Sequence, residues 1–189
     1  MSLDNRLSLS ALPSRVDLRI CEVFAAVFGA DYQTELRGGA DEPIYLPVSE
    51  GTPARIVYRL DYERSALHEV AHWCIAGEQR RRQEDYGYWY APDGRSSEQQ
   101  AQFVAVEAKP QAVEWYLSLA AGLNFAVSVD NLDQPTDPTA LKEAVFAQFV
   151  RYAEAGFPPR AQRFAEALAE SLGGQVIGLA TLPSYTELN

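Results

Sequence analysis

The feature that most constrains this fold is a pair of histidines in the segment His68-Glu69-Val70-Ala71-His72. They are the only two histidines in the chain. A separation of four places both imidazoles on one face of a helix, one turn apart, and two randomly placed histidines have this separation with a probability of roughly 1%. The fold must therefore contain a helix with one face that accommodates two imidazole rings.

The residues around this pair predict a helix from about Tyr62 to Ala76 that ends at Gly77. A core stripe at i, i+3, i+4 and i+7 passes beside the histidines and consists of Leu67, Val70, Ala71 and Cys74. Enclosed imidazoles need partners, because leaving them bare costs about 1 to 3 kcal/mol each. The pattern therefore predicts a divalent metal site, with two hydrogen-bonded core histidines as the alternative.

A third ligand should be a carboxylate, since the chain has no further histidine and no cysteine at ligand spacing. Glu107 is the first candidate because it lies on a predominantly apolar stripe, where a carboxylate without a partner is costly to bury. Glu114, two turns on, is the alternative ligand, and an ordinary surface ion pair is the alternative role for Glu107. Two histidines and one carboxylate leave coordination positions open, which suits Fe(II) oxygen chemistry and Zn(II) hydrolysis equally. Glu69 would lie beside the metal without binding it, and would either act in proton transfer or support a ligand.

The rest of the sequence predicts a single α+β domain over residues 1–189, with several helices and a small mixed sheet. The helices are expected at 15–28, ending at Gly29; at 62–76; from Ser96 or Ser97 to Gly122, with Pro110 as a candidate bend; and at 138–155 and 159–172. Strands are expected at 32–36, 43–48, 54–60 and 125–132, and along Tyr86, Tyr88 and Tyr90 before a turn at Asp93-Gly94. Residues 1–13 and 174–189 are expected to be irregular.

Charge and hydropathy exclude several classes of function. There are 16 Lys and Arg residues against 26 Asp and Glu, a net charge of -10, so binding to nucleic acid through phosphate neutralisation is not expected. The N-terminal residues do not resemble a signal peptide, and the longest uncharged stretch, 115–129, is shorter than the ~18 to 20 residues of a membrane span. Two cysteines are too few for a disulfide framework. We expect a soluble, cytoplasmic protein.

Four segments of the chain resemble the bacterial elongation factor P hydroxylase family: 41–47 (DEPIYLP), 68–77 (HEVAHWCIAG), 85–95 (DYGYWYAPDGR) and 106–112 (VEAKPQA). The similarity spans most of residues 30–132. It implies a cytoplasmic enzyme that hydroxylates the lysine of elongation factor P after that lysine has received a β-lysyl group. It also implies a metal, with Fe(II) favoured over zinc, that is held by His68, His72 and Glu107.

A β-lysylated lysine carries two amines, so acidic and aromatic surroundings are expected where it binds. The candidate substrate-binding residues are Asp41, Glu42, Asp85, Tyr88, Trp89 and Asp93. Their alternative interpretation is that the acids belong to turns and the aromatic residues to a half-buried strand. The sequence identifies no organic cosubstrate and no oligomeric state.

A zincin-type zinc metallopeptidase is the second hypothesis, because the histidine motif is common to both classes. Glu69 would then deprotonate a metal-bound water that attacks a peptide carbonyl. A non-enzymatic protein with a structural metal is the third, although no fourth protein ligand is evident. A 2-oxoglutarate oxygenase of the double-stranded β-helix type is not expected, because it needs a His-x-Asp/Glu pair on a strand. The expected metal site is helix-borne and zincin-like.

Overall fold

Helices and one small sheet make up the described part of the chain, which in this computed structural model comprises residues 15–86, 96–129 and 137–188. The longer helices are α1 (Val16–Phe24), α3 (Glu63–Ile75), α4 (Ser97–Ala120), α5 (Thr139–Ala155) and α6 (Pro159–Leu172), and α2 (Ala30–Tyr32) is a single turn. The strands are β1 (Thr34–Ala40), β2 (Ile44–Leu46) and β3 (Ala54–Arg59). Their buried apolar side chains form a hydrophobic cluster to which both the helices and the sheet contribute. The predicted α+β class is confirmed.

The first helix does not end where the sequence predicted. The chain continues from α1 through a π-helical segment, Ala25–Gly29, into α2. A glycine ends a helix when it adopts the left-handed conformation, but Gly29 keeps a helical φ of -52°. Gln33 takes the left-handed conformation instead, with φ 47°. The predicted stop at Gly29 is therefore wrong, and β1 begins two residues later than expected.

The sheet is mixed, as predicted, with the strand order β1-β3-β2. β3 pairs in parallel with β1, starting at Thr34 opposite Ala54, and pairs antiparallel with β2. Gly38 allows the end of β1 to pass close to its neighbour, because a Cβ there would lie 2.2 Å from the carbonyl oxygen of Leu60. The sheet is small, and one of its sides is covered by α1 and α3.

The two helices that carry the motif residues pack against each other. In α3 the predicted core stripe is buried throughout, with Leu67, Val70 and Ala71 fully inaccessible. The predicted capping box begins α4: the Ser96 hydroxyl accepts from the Gln99 backbone, and the Gln99 side chain accepts from the Ser96 backbone. Pro110 lies inside this helix, which is continuous from Ser97 to Ala120.

The predicted strand at 125–132 is wrong for its described residues, since 123–129 are irregular. Side chains from two helices hydrogen-bond to the backbone of this segment. Gln111 donates to the Ser128 carbonyl (2.8 Å) and accepts from its N–H (3.0 Å), and Arg64 donates to the Ala126 carbonyl (2.6 Å). Polar side chains on two helices therefore hold this segment along the helix pair.

The predicted helices at 138–155 and 159–172 are confirmed as α5 and α6. After α6 the described chain is irregular apart from the 3₁₀ turns Leu179–Thr181 and Tyr185–Glu187, as expected for 174–188. Residues 1–13 and the predicted strand from residue 87 onward lie outside the described ranges. Tyr86 itself is not in a strand. Among the described helices, none has the length and apolar character needed to cross a membrane.

Candidate metal centre

The two histidines of α3 approach each other through their Nε2 atoms. The Nε2 atoms of His68 and His72 are 3.0 Å apart, and the ring centroids are 4.7 Å apart. The side chains are 22% and 30% exposed, respectively. The helix therefore presents two imidazole nitrogens at one partly enclosed point.

Glu107 brings a carboxylate to this point from α4. The residue is buried, and its Oε1 lies 3.5 Å from Nε2 of His72 while its Oε2 lies 3.8 Å from Nε2 of His68. Ligand atoms bound about 2.1 Å from one metal are separated by about 3.0 Å in octahedral and about 3.4 Å in tetrahedral geometry. The observed separations are 3.0, 3.5 and 3.8 Å, so the first two lie in or close to this range and the third is somewhat longer. The three donors lie within 4.8 Å of one another. This donor set fits a divalent ion and leaves positions open.

Glu114 contacts His68 from the opposite side of the imidazole. Its Oε2 is 2.8 Å from Nδ1 of His68 and accepts a hydrogen bond from the Nδ1–H. The sequence left either Glu107 or Glu114 as the third ligand. The structure directs Glu107 toward the two Nε2 atoms and Glu114 toward the nitrogen that faces away from them.

Burial and charge set the pKa values of the two imidazoles in opposite directions. Burial lowers the pKa of His68, but the charge and hydrogen bond of Glu114, with the charge of Glu107, outweigh it and raise the pKa to about 10. Burial and the neighbouring His68 lower the pKa of His72 to about 4. Without a metal, these shifts favour the positive charge on His68 over His72.

A cavity of about 570 Å³ lies beside the histidines, between the helix pair and the sheet. Its lining includes Glu69, His72, Trp73 and Ala76, which share one face of α3. Burial, together with nearby carboxylates, raises the pKa of Glu69 to about 7 against the opposing effect of His68. The remaining lining residues are Tyr45, Ile56, Ile75, Gly77, Arg80, Arg81, Asp85, Val106 and Pro110.

The candidate substrate-binding residues separate into three groups. Asp85 lines the cavity, where its carboxylate pairs with Arg80 at 2.6 Å. Asp41 and Glu42 are exposed between β1 and β2 and do not line the cavity. The other three, Tyr88, Trp89 and Asp93, lie outside the described residues and stay predictions.

Two residues near the site were missed by the sequence analysis. Gln111, one turn after Glu107 and buried, donates to the Glu107 carboxylate at 3.4 Å. Its position on the buried stripe of α4 was a usable signal. Arg160 donates to the carbonyls of Trp73, Cys74 and Ala76 at the end of α3, at 2.9, 2.9 and 2.6 Å. No local pattern indicates this contact, because α6 meets α3 only in the folded chain.

Comparison with known proteins supplies the family. Residues 23–181 match the model of a family described as elongation factor P hydroxylase. The chain belongs to the elongation factor P hydroxylase family. A relative from Haemophilus influenzae, named elongation factor P lysine hydroxylase, is 48% identical over 151 residues, which cover 79% of this chain and 85% of the relative.

The part of the chain that matches the elongation factor P hydroxylase family includes the whole candidate site. Both histidines, Glu107, Glu114 and every residue that lines the cavity fall between residues 23 and 181. The resemblance noted in four short segments therefore extends over most of the chain.

Proposed function

We propose that this chain is an oxidoreductase that hydroxylates the β-lysylated lysine of elongation factor P in the cytoplasm. The observation that carries the proposal is the convergence of two imidazoles and one buried carboxylate beside a cavity, in a member of this family. An open two-histidine, one-carboxylate donor set is typical of non-haem iron oxygenases. The partner is elongation factor P, and no nucleic acid or membrane takes part.

In this proposal His68, His72 and Glu107 hold the metal, and Fe(II) is the favoured ion. When bound, iron supplies the activation of dioxygen needed to hydroxylate an unactivated carbon. Glu114 fixes the orientation of His68 by accepting the Nδ1–H, which leaves Nε2 directed toward Glu107. Gln111 supports Glu107 by donating a hydrogen bond to its carboxylate.

The cavity is proposed to receive the substrate side chain, because His72 belongs both to the donor set and to the cavity wall. Glu69 would be the catalytic residue that contacts the substrate, and Asp85 would be a binding residue of the same cavity. Asp41, Glu42, Tyr88, Trp89 and Asp93 remain proposed substrate-binding residues. The zinc peptidase hypothesis is supported only by the shared histidine motif, whereas the similar protein is named a hydroxylase.

The test is intact-mass analysis of β-lysylated elongation factor P after incubation with the protein, Fe(II), a reductant and ¹⁸O-labelled dioxygen. We expect the substrate to gain one labelled oxygen atom, and no label when only the water is labelled. Elongation factor P without the β-lysyl group tests whether that modification is required. The His72→Ala variant is the matched control and should give no product.

Two results would contradict the proposal. One is an unchanged substrate mass with the metal-loaded protein and every reagent present. The other is cleavage of a peptide bond without dioxygen, lost in Glu69→Gln, which would support the peptidase hypothesis.

A further inference from the structure

Few of the described residues that line the cavity beside the donor set are charged. Four charged side chains line it: Glu69, Arg80, Arg81 and Asp85. Arg80 and Asp85 form an ion pair with each other, so their charges offset. The Arg81 guanidinium donates to the carbonyl of Ala76 at 2.6 Å. Three of the four charged side chains therefore already have a hydrogen-bond or ion-pair partner within the protein.

Glu69 differs from these three. Across residues 15–86, 96–129 and 137–188 its carboxylate has neither a hydrogen bond nor an ion pair. The nearest cationic candidates are already engaged: His68 with Glu114, and Arg80 with Asp85. If a divalent ion is bound, its two charges are matched by Glu107 and Glu114, and the charge of Glu69 still has no counter-ion.

Backbone acceptors do not compete with Glu69 for a cationic ligand. The C-terminal end of α3 faces the cavity, and the carbonyls of a helix end attract cations. Here the carbonyls of Trp73, Cys74 and Ala76 already accept from Arg160. These carbonyls therefore already have a cationic donor, whereas the Glu69 carboxylate has none among the described residues.

The remaining walls suit a flexible aliphatic chain. They are formed mainly by apolar surface from both helices and the sheet, including Tyr45, Ile56, Trp73, Ile75, Val106 and Pro110. The Trp73 ring is fixed by its neighbours, with ring centroids 5.0 to 5.3 Å from those of Phe24, Phe28 and Tyr32. Arg160 lies 4.8 Å from the same ring. This wall is therefore preformed and does not need to be ordered when a ligand binds.

We propose that Glu69 binds the ammonium end of a primary alkylammonium side chain whose methylene groups lie against the apolar walls. The inference rests on the proposed function for the identity of the side chain, and it assigns substrate specificity to Glu69. A carboxylate at the end of an apolar cavity favours a cation over an uncharged group of the same shape, because an uncharged group leaves the carboxylate desolvated without a partner.

The test uses n-butylammonium as the probe and n-butanol as its uncharged counterpart. Binding to the full chain is followed by NMR through the Trp73 indole N–H, assigned by the Trp73→Phe variant, with and without bound Zn(II). We expect saturable binding of n-butylammonium and affinity for n-butanol that is lower by about tenfold or more. Glu69→Gln should abolish this preference. Glu63→Gln, which removes the same charge from the first turn of α3 outside the cavity, should retain it.

Three results would overturn the inference. No saturable binding of n-butylammonium means that the cavity does not take an alkylammonium group. A preference that survives in Glu69→Gln means that another group, such as the metal, binds the amine. The inference and the proposed function can fail independently. If Glu69→Gln hydroxylates elongation factor P with an unchanged KM, this inference is refuted and the proposed function is not. The expected probe preference without any hydroxylation refutes the proposed function alone.

Discussion

The buried carboxylates in the described part of this protein lie at two sites, and their ionisable partners differ between the sites. Asp17 on α1 is 3% exposed and accepts from the Arg15 guanidinium at 2.6 and 3.0 Å and from the Tyr58 hydroxyl at 2.8 Å. Glu107 and Glu114 on α4 are 2% and 4% exposed, and among the described residues both contact the imidazoles of α3. The first carboxylate is paired with a guanidinium, whereas the other two face imidazoles, which can bind a metal.

The difference separates a structural carboxylate from a functional one. A buried charge is tolerated when it is paired and hydrogen-bonded, and Arg15 meets that need for Asp17. Glu107 and Glu114 instead face imidazoles, which bind a divalent ion when they are neutral. We therefore interpret the α3–α4 site as one built to bind a cation from outside the chain.

The largest effect is expected when both imidazoles are removed. The double variant His68→Ala, His72→Ala should lose stoichiometric metal binding, because two of three donors are gone. The fold should persist, since the core stripe of α3 is untouched. Metal analysis and far-UV circular dichroism measure the two outcomes. Full metal occupancy in the folded double variant would show that the ion binds elsewhere.

The second-largest effect is expected when the third donor, Glu107, is changed. Glu107→Gln should weaken metal affinity by more than about 100-fold, because loss of a supporting partner alone typically costs 10- to 100-fold and this change removes a ligand. Competition with a chelator of known affinity measures the change. Affinity equal to that of the parent would remove Glu107 from the donor set.

A smaller effect is expected at Glu114. Glu114→Gln should weaken metal affinity by about 10- to 100-fold, because the amide can still accept from His68 but no longer supplies a charge. The same chelator competition applies, with Glu63→Gln as a control for the loss of one negative charge from the helix pair. If Glu114→Gln loses more affinity than Glu107→Gln, the third ligand is Glu114.

The smallest effect is expected at Asp17, which is paired with Arg15 of the same helix end. Asp17→Asn should lower the free energy of unfolding by about 1 to 2 kcal/mol, because the bonds to Arg15 and Tyr58 lose their charge. Metal affinity should not change, since Asp17 does not belong to the donor set. Urea denaturation near neutral pH gives the first value and chelator competition the second. A large loss of metal affinity in this variant would contradict the contrast between the two sites.

The effect of Asp17→Asn on the free energy of unfolding should depend on pH. Burial alone would raise the pKa of Asp17, but the hydrogen bonds from Arg15 and Tyr58 hold that pKa below its ordinary value. The unfolded chain therefore takes up the proton first as the pH falls. The stability difference between the parent and Asp17→Asn should be constant above about pH 5 and should narrow below about pH 4. A difference that widens in acid would show that the folded-state pKa is raised.

Much of the candidate site follows from local sequence. A four-residue spacing fixes both imidazoles on one helix face, the capping box fixes the start of α4, and apolar periodicity fixes which side of α3 is buried. Each of these depends on residues within one or two helical turns, where backbone geometry alone determines proximity. The same reasoning failed at Gly29 and at 125–129, where the π-helical segment and long-range side-chain contacts decided the conformation.

The sequence by itself determined the helix-borne histidine pair, the need for a carboxylate partner and the family resemblance. Only the tertiary structure decided which carboxylate approaches which nitrogen. Glu114 and His68 are 46 residues apart, and Glu107 and Glu114 lie on nearly the same face of α4. Their roles depend on the angle and height at which α4 packs against α3, a result of side-chain packing that no local spacing contains. The cavity and its free carboxylate follow from the same packing, because their walls come from three separate parts of the chain.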